Sequence, residues 1–165
     1  FSLFRSEIEF LGFVISTGFM KLFMYLFACI LAQLSLSGIT KLEITGNDQM
    51  QFSTREFIVK AGDEVEIVFK NIGKLPKIAM GHNLVILQKG VSAMSFGSKA
   101  LRAGANATNA LPDSVKGDVL AHSKLLGPGE SEVIKFKAPK NPGMHQFVCT
   151  FPGHYSMMRG VMVVK

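Results

Sequence analysis

The 165-residue sequence has no tryptophan, only two tyrosines and only two cysteines. Cys29 and Cys149 allow at most one intramolecular disulfide, which excludes a disulfide-rich scaffold and a four-cysteine zinc site. Charge is sparse as well, at 18% of residues, and no run of five or more basic residues occurs. Lys70, Lys74, Lys77, Lys89, Lys99 and Lys116 are scattered, without the clustering of a nucleic-acid footprint, so no nucleic-acid partner is expected. The net charge of +6 reads as a solvated surface able to steer an acidic protein partner. There is no internal repeat and no inter-domain linker. Low charge here does not mean disorder, because 48% of residues are hydrophobic, enough for one domain with its own core.

What the sequence has in surplus is phenylalanine (14) and methionine (nine). Part of the surplus lies in residues 1–37, whose only charges are Arg5, Glu7, Glu9 and Lys21. From Met20 onward, Lys21 precedes an apolar run from Leu22 to Leu34, and the small residues Ser35, Ser37 and Gly38 follow. That is the layout of a secretory signal cleaved near Ser37. The chain starts with Phe1, so residues 1–19 read as upstream translation and residues 20–37 as the signal peptide. Two other readings stand beside it. Leu26-Phe27-Ala28-Cys29 resembles a lipoprotein box that would lipidate Cys29, and Phe10–Ile39 is about long enough to remain as a membrane anchor. The expected organisation is a leader over 1–37 and one domain over 38–165, in a protein that is periplasmic or otherwise exported. From Gly38 onward sixteen basic residues face ten acidic ones, so the charge stays at +6.

The exported part reads mostly as β. Residues 41–45 alternate polar and apolar, and Gly46-Asn47-Asp48 is a turn signal. Residues 57–59 form a short apolar run. Residues 64–70 alternate strongly, with Val65, Ile67 and Phe69 on one face. Residues 83–87 are continuously apolar, 131–137 alternate again, and 146–149 and 161–164 supply the last strands. Short strands at this spacing predict a sandwich or barrel. Val91–Val115, rich in Ala, Ser, Gly and Asn, is too long for a plain loop and predicts one short helix capped by Ser92 or Ser98.

The chemistry lies near the C-terminus. Cys149, His154 and Met158 sit in one loop between two strands, with Pro152-Gly153 forcing a turn that brings Cys149 and His154 to one centre. Thiolate, imidazole and thioether are soft-to-borderline donors, and one Cys, two His and a weak axial Met make a blue-copper site. His82, in Gly81-His82-Asn83, is the candidate second histidine. The Gly81 carbonyl can approach from the face opposite Met158. Each piece alone is bland: His82 could be solvated, Met157 and Met158 core fillers, Cys149 a small buried hydrophobe. Together they form a specific set.

Residues 41–165 closely resemble the azurins, small bacterial blue-copper proteins of the cupredoxin family. The matching segments are 46–52, 74–77, 80–83, 121–125 and 149–160. The resemblance implies an all-β cupredoxin Greek-key β-sandwich with a short helical flap around residues 91–115. It places one copper ion on His82, Cys149 and His154, with Met158 and the Gly81 carbonyl axial. Asn83 and Phe151 would donate backbone N–H groups to the Cys149 sulfur. Met50, Leu75, Ala79, Met80, Phe151, Pro152 and Met157 would form an apolar docking patch around His154. Implied partners are c-type cytochromes and periplasmic oxidoreductases such as nitrite reductase. The chain departs from the family in lacking its N-terminal disulfide, in carrying Asn71 at the position of an internal pH-sensitive histidine, and in carrying Leu84 at a buried tryptophan position. His122 matches a surface histidine, and both it and His145 are expected to be solvated.

The expected function is one-electron transfer between Cu(I) and Cu(II), not catalysis. Two rivals remain open from sequence: a copper storage or delivery protein, and a thiol enzyme with Cys149 as nucleophile and His154 as base.

Overall fold

The structure is a computed structural model that describes residues 38–165; the expected leader over 1–37, with its cleavage site and Cys29, lies outside the described residues. Among the described residues two sheets are built from nine strands: β1 (Ile39–Asn47), β2 (Gln51–Phe52), β3 (Glu56–Val59), β4 (Glu64–Asn71), β5 (Val85–Leu87), β6 (Val119–His122), β7 (Ser131–Lys137), β8 (Gly143–Val148) and β9 (Arg159–Val164). One sheet runs β2-β1-β4-β7 and the other β3-β9-β8-β5-β6. The β1–β4 and β3–β9 pairs are parallel and the others antiparallel.

Alternation decides the layers. In β4, Val65, Ile67 and Phe69 are buried while the intervening residues are not, as period-2 geometry requires. They meet Ile86, Phe147 and Met162 of the second sheet in one core. Phe52 links the sheets, its ring edge-on to Phe69 at 5.9 Å and to Phe147 at 5.4 Å. The continuous apolar run of β5 has a separate cause: both its faces are covered. Ile86 points into the sandwich, while Val85 and Leu87 lie under a flap in a second cluster.

That flap contains helix α2 (Ala93–Arg102), preceded in the chain by a one-turn helix α1 (Lys77–Met80). Ser92, not Ser98, caps α2, its hydroxyl accepting the Ser95 N–H at 3.5 Å. Ala93, Phe96, Gly97 and Ala100 are its buried residues, the i, i+3, i+4, i+7 stripe of an amphipathic helix. A 3-10 turn over Asp113–Asp118 completes the segment. The strands β2 and β6 carry no periodicity of their own and exist because neighbours pair with them. One expectation is corrected. His145 is not solvated: it is 2% exposed, on the same face of β8 as Phe147, with Nδ1 donating to the Leu87 carbonyl at 3.0 Å in the tautomer that this acceptor dictates. Its Nε2 has no hydrogen-bond partner among the described residues. His122 is exposed, as expected. Among the described residues, no helix is long and apolar enough to cross a membrane.

Candidate metal centre

Two loops at one end of the sandwich carry the predicted ligands. His82 precedes β5 and is clamped by a bridge to Leu126: its N–H donates at 3.0 Å, and its carbonyl accepts the Leu126 N–H at 2.7 Å. Cys149 follows β8 directly, its N–H bonded to the Met158 carbonyl at 2.9 Å. Between them the chain folds back on itself. Gly153 takes φ 87°, a left-handed conformation that glycine adopts without a side-chain clash. The His154 carbonyl then accepts from Met157 and Met158 at 3.0 and 2.8 Å. The turn expected at Pro152-Gly153 is what lets residues five apart share a centre.

His82, Cys149 and His154 are all buried, and one donor atom from each lies within 4.8 Å of the others. Cys149 Sγ is 3.6 Å from His154 Nδ1, and the imidazole centroids are 5.1 Å apart. Neither ring nitrogen of His82 has a hydrogen-bond partner among the described residues. Buried polar atoms are rarely left so, and one nitrogen of this ring shares the centre with the Cys149 thiol and the His154 imidazole. The set fits copper: one thiolate and two imidazoles suit it better than a hard cation. The residues also set their own protonation. Burial pushes the Cys149 thiol up to about 12, opposed by the backbone N–H groups of Asn83 and Phe151 bonded to its sulfur. Burial pushes His154 down to about 4, with His82 adding to the effect. Burial also lowers His82, opposed by the Asn47 carbonyl and by the negative charge of Asp48. The metal-free site therefore holds a neutral thiol and two neutral imidazoles at pH 7.

The surroundings hold the two loops together. Asn83 Oδ1 accepts the Thr150 N–H at 2.8 Å, and its Nδ2 donates to the Thr150 hydroxyl at 2.9 Å. Met158 is fully buried. A Cβ on Gly46 would lie 2.8 Å from Met158 Cε and 3.3 Å from the His82 ring, so Gly46 makes room for both. Gly81 is buried, and a Cβ there would meet the Lys77 carbonyl at 2.8 Å. Of the expected docking residues, Leu75, Ala79 and Met157 are exposed, while Met50, Met80 and Pro152 are half-buried. Phe151 is 6% exposed and packs on the His154 ring at 4.5 Å, so it supports the ligand from within. Ile78, 63% exposed on α1, was not anticipated. Gly46 and Asn47 were also missed as site residues. Their segment was visible as a motif, but they act through a missing side chain and a backbone carbonyl, which sequence does not advertise.

A buried His–Cys–His set of this kind, carried on the end loops of a two-sheet sandwich, defines a blue-copper electron-transfer protein. The chain belongs to the copper-binding plastocyanin/azurin family, whose sequence model matches residues 39–165. It is 40% identical over 125 residues to an azurin of Alcaligenes faecalis, covering 72% of this chain and 93% of that one. It is 39% identical over 119 residues to outer membrane protein H.8 of Neisseria gonorrhoeae, covering 71% of this chain and 63% of that protein. Among solved structures, dithionite-reduced auracyanin from Roseiflexus castenholzii superposes with a TM-score of 0.65 at 34% identity, over 78% of this chain and 99% of that one. The fold is thus the cupredoxin sandwich expected from sequence, and the cofactor is copper.

Proposed function

We propose that the protein is an exported one-electron carrier that docks transiently on its redox partners and performs no catalysis. The observation that carries this reading is the closed, buried His82–Cys149–His154 set. Bound copper supplies a one-electron Cu(I)/Cu(II) couple; the chain supplies a rigid, dry cage. Met158 and the Gly81 carbonyl would join these three ligands in holding the copper, and Asn83 and Phe151 would hold the thiolate and tune the couple through their N–H groups. Electrons pass at the His154 edge, inside the apolar surface of Met50, Leu75, Ala79, Met80, Pro152 and Met157. The partners are c-type cytochromes and oxidoreductases of the nitrite reductase kind. A thiol enzyme is disfavoured, because Cys149 is fully buried with its pKa raised, the opposite of an activated nucleophile. Export rests on the leader pattern of residues 20–37 and on likeness to proteins that include an outer membrane protein.

Loading with Cu(II) tests the reading. The expected result is an intense blue thiolate-to-copper band that disappears in Cys149→Ser. A colourless copper-loaded protein would refute it.

A further inference from the structure

A cleft of about 230 Å³ opens beside the ligand loops, between the end of the flap and the segment that follows β6. Asn83 and Ser123, 1% and 2% exposed, lie within its lining together with Asn109, Lys116, His122 and Lys124. The lysines look scattered in sequence, yet the fold brings Lys116 and Lys124 to one opening, and no aspartate or glutamate lines it. Lys116 Nζ is 2.7 Å from Asp113, which is 93% exposed, a pairing that solvent leaves weak. Lys124 has no ion-pair partner among the described residues; its backbone is held at both ends, the N–H by the Glu132 carboxylate on β7 at 2.6 Å and the carbonyl by the Ser123 hydroxyl at 2.8 Å. His122 Nδ1 lies 3.1 Å from the Ser123 carbonyl and carries the ring hydrogen there, so Nε2 of the neutral ring is an acceptor and an anion is left to the lysines. Ser123 Oγ is occupied by the Leu84 N–H and the Lys124 carbonyl. Asn83 gives one Nδ2 hydrogen to Thr150, and an amide has two.

The cleft therefore offers two lysine ammonium groups and no carboxylate. Its volume falls below the range of pockets that take drug-sized ligands. We propose that it binds a small free oxyanion of the phosphate or sulfate type. Lys124 would grip the anion at the rim, with Lys116 adding charge. Because the Asn83 backbone N–H also bonds the Cys149 sulfur, the anion would sit one residue from the metal cage. There its negative charge favours the more positive oxidation state and lowers the reduction potential. This last consequence rests on the copper reading; anion binding itself does not.

The test titrates inorganic phosphate, and separately sulfate, into metal-free protein at constant ionic strength, with chloride as the control. Backbone amide NMR shifts are followed. The expected result is a saturable shift centred on Asn83, His122 and Lys124, absent with chloride and weaker by about tenfold in the Lys116→Gln/Lys124→Gln double variant. Both substituted side chains are exposed, and an unchanged thermal melt confirms that the variant is folded. No saturable shift up to tens of millimolar, or an equal response to chloride, overturns the site. In copper-loaded protein, phosphate should lower the potential of the parent and leave that of the double variant unmoved. Intact binding with an unmoved parent potential overturns the redox link alone.

Discussion

Cys149 is stored in a form that cannot bind metal. Its thiol is pushed up to about 12 by burial, whereas the ligand form is the thiolate. His82 and His154 are already neutral at pH 7, because burial lowers both. Uptake of one copper ion near pH 7 should therefore release about one proton. A pH-stat titration in weak buffer checks this; release of none, or of two or more, would contradict the protonation states assigned here. Legibility at this scale follows how a residue acts. Cys149, His154 and Met158 announce themselves by donor chemistry within ten positions. His82 needs its flanking residues to be recognised. His145 was misread because the last-but-one strand was started at Gln146, although its parity with Phe147 places it on the buried face of a strand that begins at Gly143.

At the level of elements, the alternating strands were readable because burial of one face imposes a period, and β7 has the bounds read from sequence. The two-residue β2 and the half-exposed β6 were not, since their pairing partners define them. The flap was anticipated by length and composition, but its purpose was not. A Cβ on Gly97, inside α2, would collide with the side chain of Tyr155, the residue after ligand His154. The helix thus presses directly on the ligand loop. Gly97→Ala should cost roughly 1–3 kcal/mol from overpacking and shift the blue band. Ser92→Ala, which removes only a long 3.5 Å cap bond, should cost about 0.5 kcal/mol, the low end for a cap, and leave the spectrum unchanged. Urea unfolding with visible spectroscopy separates the two; equal spectra would show that the helix does not brace the site.

On the scale of the molecule, ion pairs such as Lys70–Glu43 and Lys99–Asp118 lie on exposed surface and contribute little. The buried imidazoles matter more for pH response. In metal-free protein the folded His154 value, about 4, lies below its ordinary 6.5. The unfolded chain then binds more protons between those values, so folding stability is full above 6.5 and falls as pH drops toward 4. The decline should be on the order of 2–3 kcal/mol, visible already between pH 6.5 and 5, where carboxylates are still charged. Urea unfolding of metal-free and copper-loaded protein across that window checks it, since the loaded form should stay flat to lower pH. The loops of the metal centre have one more consequence. Asn83 and Thr150 stand 67 residues apart, and they meet only because β5 lies against β8. Closing such a distant contact is a slow, late event in folding. The loop of Cys149, His154 and Met158 closes on contacts local in sequence, but His82 joins it only once the strand order is correct. Colour would then be a property of the finished topology, and a misassembled chain would stay colourless however much copper surrounds it.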